Sequence, residues 1–128
     1  MKRRVAAIGG VLAALVALSA TVSAEEIGIT VSPSTLYLES QGSWVTVHTD
    51  VAYGLVDTAT LMLNGVPIAW TKVDNQGNLV AKFELDAVKD IDIVEPPSAM
   101  LTLSGTLIGG ADFSGTDEVK VVAPRRKK

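Results

Sequence analysis

A handful of residues in this 128-residue chain are of types that could do chemistry. His48 is the single histidine, and there is no cysteine. A nucleophilic triad would therefore have to join His48 to a serine and a distant carboxylate. No nucleophile-elbow sequence supplies that serine, and a lone histidine within a β pattern reads as a surface or edge residue. Asp86, Asp90 and Asp92 cluster, but on one short connection. Paired carboxylates for glycoside hydrolysis must instead face each other across a cleft. Asp74, Asn75 and Asn78 offer one charge and two amide oxygens, whereas a calcium ion takes about six to eight oxygens. The same three residues beside Gly77 are explained by a hairpin turn with Asx hydrogen bonds. Gly109-Gly110 has no helix after it to present an anion site.

Aromatic rings are the remaining chemistry. Trp44, Trp70, Tyr37 and Tyr53 are candidates for a platform on which a sugar could stack. If the valines of Trp44-Val45-Thr46-Val47-His48 face inward, Trp44 and His48 point outward together. These two are the candidate ligand-binding residues. A tryptophan is by default well covered, so Trp70 is expected in the core, while Trp44 is open to either place.

These side chains must be positioned by strands. Ile27 to Val31 alternates, Ser32-Pro33-Ser34 interrupts, and Leu36 and Leu38 share a face beyond it. Trp44 to Val51 is the longest clean β pattern, with Val45, Val47, Thr49 and Val51 on one side. Ala52 to Thr58 reads as a loop crossing between sheets. Leu61 to Leu63 runs into Asn64-Gly65, a strong hairpin signal, and Val66 to Val73 is the return strand. Asp74 to Asn78 turns into a strand over Leu79 to Leu85. Asp86 to Ile91 suggests one or two helical turns capped by Asp86, and Pro96-Pro97 stops anything longer. Met100 to Leu107 alternates again, and the last strand falls at about Glu118 to Val122. Pro33 and Pro67 mark sheet edges, where a partner strand could add. The pattern predicts an all-β, immunoglobulin-like sandwich of seven to eight antiparallel strands over residues 25–124.

Lys2, Arg3 and Arg4, the apolar run Val5 to Ala20 and the small residues before Glu25 have the order of a secretory signal peptide, residues 1–24. The expected location is secreted, periplasmic or cell-surface, with membrane contact only through that segment before cleavage. Without its three basic residues the chain carries eight basic and fourteen acidic groups, a net −6. Arg125-Arg126-Lys127-Lys128 is half of that basic set, a basic tail over 125–128 that leaves residues 25–124 at −10. Such an acidic body excludes nucleic acid as the partner, since phosphate binding needs a basic face.

The segments Ser34-Thr35-Leu36-Tyr37-Leu38 and Ser40-Gln41-Gly42-Ser43-Trp44-Val45-Thr46-Val47 resemble a module of bacterial and archaeal secreted or surface proteins that reads S-T-L-N-L-x-S-x-G-x-W-V-T-V. Leu63-Asn64-Gly65, Lys82-Phe83 and Phe113-Ser114-Gly115-Thr116-Asp117 follow in the matching order, so the likeness spans about residues 31 to 122. It implies an immunoglobulin-like or cohesin-like sandwich and no enzymatic activity. Many relatives carry an aspartate-rich, calcium-loop-like stretch where this chain has only Val73-Asp74-Asn75-Gln76-Gly77-Asn78. Calcium is thus the one candidate ion, with no cofactor otherwise implied. The expected function is a non-catalytic module for protein–protein contact. The alternatives are a carbohydrate-binding module that uses its aromatics on an extracellular glycan, and a calcium-stabilised structural domain.

Overall fold

The computed structural model describes residues 25–124. The signal-peptide expectation for 1–24 and the basic segment 125–128 lie outside the described residues. Ten strands form in order: β1 (Glu25–Glu26), β2 (Ile29–Ser32), β3 (Thr35–Tyr37), β4 (Trp44–Ala52), β5 (Val56–Leu63), β6 (Val66–Pro67), β7 (Trp70–Val73), β8 (Asn78–Glu84), β9 (Ser98–Leu107) and β10 (Asp112–Val122). One short helix, α1 (Leu85–Lys89), sits between β8 and β9.

The strands divide into a four-stranded sheet, β2-β4-β8-β7, and a six-stranded sheet, β1-β10-β9-β5-β6, with β3 also paired to β10. Lettered in the immunoglobulin manner, these are A-B-E-D opposed to A′-G-F-C with a short C′. That is the order which defines the fold. The all-β sandwich expectation is met, and strand order carries the immunoglobulin-like assignment.

Two-residue alternation explains the layering. Val45 and Val47 of β4 and Ala81 and Phe83 of β8 point inward and are fully buried. Leu61 and Leu63 of β5, Leu101 and Leu103 of β9, and Phe113, Val119 and Val121 of β10 join them in one cluster. An immunoglobulin domain commonly ties strands B and F with a disulfide. Here those strands contribute valines and leucines instead, each worth roughly 1.5–3 kcal/mol when fully buried. From α1, Leu85 and Val88 add to the same cluster.

Strands β4 and β5 are both bulged, and threonine hydroxyls complete the pairing there. In β4 the register slips between His48 and Ala52. The buried Thr49 Oγ1 donates to Leu79 O (2.8 Å) across the gap. In β5 the slip against β9 falls between Met62 and Asp57, and the Thr106 N–H donates to Thr60 Oγ1 (2.8 Å) in place of a backbone oxygen.

Several sequence expectations are corrected. Among the described residues the strands number ten where seven to eight were expected, because short edge pieces add to the main strands. Two pairings are parallel, β1 and β3 on β10. Only Tyr53–Leu55 of the expected loop is a helical turn, and β5 already begins at Val56; the bulge disguised its alternation. The expected return strand is two strands on different sheets. The step is one residue wide: the Ile68 N–H donates to Leu61 O, and the Ala69 N–H to Lys82 O. The last strand starts at Asp112, six residues early, with Ser114-Gly115-Thr116 extended within it. Asp86 is not the cap of α1. Glu84 holds that position without a side-chain bond, and Asp86 lies in the first turn, 3.5 Å from Lys89 Nζ.

Gly115 shows why that segment needs glycine. A Cβ there would lie 2.6 Å from Ile27 O and 2.8 Å from Ile29 Cγ2, where the Ile27 N–H bonds to Ser114 O. At Gly105 a Cβ would meet the side-chain ends of Leu61 and Phe113 at 2.9 Å. Side chains can turn aside where a backbone carbonyl cannot. Gly115→Ala should therefore cost about 1–3 kcal/mol of stability in denaturant unfolding, more than Gly105→Ala. Equal losses would show that the approach of Ile27 to β10 is unimportant.

Candidate functional site

On the four-stranded sheet, the residues that alternate with the buried set form an outer face. The register places Trp44 beside Glu84, Thr46 beside Lys82 and His48 beside Val80 on β4 and β8. On β7, Trp70 lies beside Lys82 and Lys72 beside Val80. Both tryptophans are little more than half covered, at 42% and 43% exposure. Trp44 is therefore on the surface. Trp70, expected in the core, is on the surface as well, because its neighbour Thr71 takes the inward position opposite Ala81.

The indoles reach toward each other across β8. Their ring centroids are 6.0 Å apart and the planes are at 89°, an edge-to-face pair. Such a pair contributes about 0.5–1.5 kcal/mol beyond burial. Lys82 fixes one side of it: its Nζ lies 5.5 Å over the Trp70 ring and donates to Thr46 Oγ1 (2.8 Å). The result is a Trp44–Trp70–Lys82–Thr46 constellation on three adjacent strands. Sequence reasoning put Trp44 with His48, counted Trp70 among the aromatics but expected it in the core, and gave Lys82 no role. The available signal was parity, since Ala81 and Phe83 inward forces Lys82 and Glu84 outward.

His48 shares the face but not the constellation. Four residues of strand separate it from Trp44, about 13 Å. It lies between Thr30 and Val80 in the register and lines a shallow recess with Gly28 and Asp50. Val80 is 1% exposed although it points away from the core, so the outer side chains lean together over it.

Asp74 closes the β7–β8 turn. Its Oδ1 accepts the N–H groups of Gln76 (2.8 Å) and Asn78 (3.0 Å), and Gly77 takes the positive φ of 86°. The two N–H groups, Asn78 first, hold its carboxyl below the ordinary carboxylate range, with a smaller attraction from His48. Among the described residues, no three of His, Asp and Glu gather in a way that could hold a metal ion.

The edges marked by proline are partly occupied. The Val31 N–H on β2 donates to Asp117 Oδ2 of the opposite sheet (2.8 Å), and β6 at Pro67 is two residues long.

No family model matches the chain, and no curated protein matches it. Among solved structures it is similar to a bacterial immunoglobulin-like domain from the M. primoryensis ice-binding adhesin. The identity is 18%, over 79% of this chain and 98% of that one, with a TM-score of 0.38. Similarity at that level adds nothing to what the strand order already establishes.

A depressed carboxyl pKa means the unfolded chain takes up its proton first as pH falls. The Asp74 contribution is thus present above the ordinary carboxylate value and lost on acidification through the lower folded value. Asp74→Asn keeps an Oδ1 acceptor and removes the charge. Urea unfolding between pH 2.5 and 6 should show the wild type losing more stability on acidification than Asp74→Asn. Parallel curves would refute the assignment.

Proposed function

We propose that the chain is a non-catalytic binding module, exported to the periplasm, the cell surface or the medium, and that it contacts a protein partner through the outer face of the four-stranded sheet. The single observation that carries this reading is the Trp44–Trp70 pair, half in water and held by Lys82. Tryptophan is usually well covered, and it dominates binding hot spots when a partner completes its burial. Here the rings stand on paired strands with an ammonium clamped beside them, so little freedom is lost on binding.

The geometry also weighs protein against glycan. Rings at 89° present a ridge and a notch, whereas a sheet-like polysaccharide wants flat, coplanar rings. Strand addition is less favoured than face contact, because Asp117 already takes the Val31 N–H. The module type suggested by the S-T-L-x-L-x-S-x-G-x-W-V-T-V resemblance belongs to the same reading, as does export through residues 1–24.

Immobilised processed protein should retain a protein from the matching extracellular fraction saturably. Trp44→Ala and Trp70→Ala should each weaken that binding by about 2 kcal/mol or more, roughly thirtyfold in Kd. Both should keep the wild-type circular-dichroism spectrum. Met100→Ala, half exposed on the opposite sheet, should change nothing. A folded Trp44→Ala protein that binds as wild type would sink the proposal. So would retention on insoluble glycan alone.

A further inference from the structure

The outer face of the four-stranded sheet differs in charge from the body around it. Residues 25–124 contain four lysines and fourteen acidic residues. Two of those lysines, Lys72 and Lys82, stand on this face, together with His48. Two of the acids share it, one at each end. Glu84 lies beside Trp44, and Asp50 accepts the Gly28 N–H (3.0 Å). Asp74, in the adjoining turn, is likewise engaged by backbone N–H groups. Among the described residues the ion pair that forms is Lys89 with Asp86, within α1. Neither Lys72 nor Lys82 is paired with a carboxylate.

The register sets how far apart the two lysines are. Lys82 is opposite Trp70, and Lys72 is two residues further along β7, opposite Val80. Diagonal neighbours of this kind stand about 7–8 Å apart. Alternate residues of an extended chain are also about 7 Å apart. Val80, 1% exposed, lies beside Lys72 on one side and His48 on the other. The strand that carries Lys72 is the edge of its sheet, so a chain can approach from that side. Lys82 gives one N–H to Thr46 Oγ1 and keeps two, while the exposed Lys72 keeps all three.

We propose that the protein partner of this face presents an extended acidic segment, with carboxylates on alternate residues meeting Lys82 and Lys72. The inference rests on the contact-face reading and adds the chemistry of the partner. The negative charge of the body does not oppose it strongly. At physiological ionic strength the Debye length is about 8 Å, so a bound segment senses the two lysines more than the distant acids. A second copy of the chain is the poorer occupant, because two bodies of −10 would have to meet over far wider surfaces.

The test uses the processed full chain and the synthetic hexapeptide Thr-Glu-Thr-Glu-Thr-Glu, with its Thr-Gln counterpart as control. The Trp70 indole N–H resonance, assigned with Trp70→Phe, is followed by NMR. The glutamate peptide should move it saturably and the glutamine peptide should not. Lys72→Gln and Lys82→Gln should each weaken binding about two- to fivefold, and together abolish it, with the circular-dichroism spectrum unchanged. A signal indifferent to the glutamate peptide, or one moved equally by the control, overturns the proposal. So does binding that survives in the double variant, as it would if Arg125–Lys128 held the peptide. A stronger response to oligogalacturonate assigns an acidic glycan instead, and a shift that grows with protein concentration alone assigns a second copy; either overturns it. Retention of the extracellular protein that needs Trp44 and Trp70 but not Lys72 and Lys82 refutes the acidic partner and leaves the contact face standing.

Discussion

The whole arrangement depends on apolar contact between two sheets that no disulfide joins. The chain has no cysteine, so β4 must bury Val45 and Val47 against the opposite sheet, and β8 must bury Ala81 and Phe83. Once those residues are inward, the pleat leaves no choice about their neighbours. Trp44, Thr46, Lys82 and Glu84 are driven to one outer face. The candidate site is the other side of the same coin as the core, and a one-residue slip of β4 would exchange the two.

Alternation made most of the architecture legible. Trp44 to Val51 was readable as a strand with its valines inward, and Asn64-Gly65 as a tight turn. Asn64 does take φ 49° and Gly65 φ 89°. What escaped were the places where hydrogen bonding and periodicity part company. The bulge in β5 removes the alternation over Asp57 to Thr60 while Thr60 keeps the strand attached. The break between Ile68 and Ala69 has no turn residue at all, because the chain changes sheets by handing successive N–H groups to different partners. Tertiary pairing decided both, and a local window cannot contain it.

The site was less legible than the fold. Trp44 on the outside followed from the valines, but Trp70 did not, since its strand is short and Val73 is exposed. The expectation that a sandwich buries its tryptophan prevailed, although here leucines on β5 fill the space. Trp44 and Lys82 come together only through pairing of strands nearly forty residues apart. His48, singled out by being unique, proved to be one of several side chains roofing Val80. Rarity in composition is a weak guide to placement.

Parallel pairing at the start of the domain has a mechanical consequence. β3 and β10 run the same way, joined by Lys120 N–H to Ser34 O and Leu38 N–H to Val122 O, each 2.9 Å. Tension applied between the residues before β3 and those after β10 pulls these two strands past each other along their length. The ladder is then loaded in shear, so its hydrogen bonds resist together rather than opening one at a time like a zipper. An antiparallel hairpin at the same position would peel under far less force.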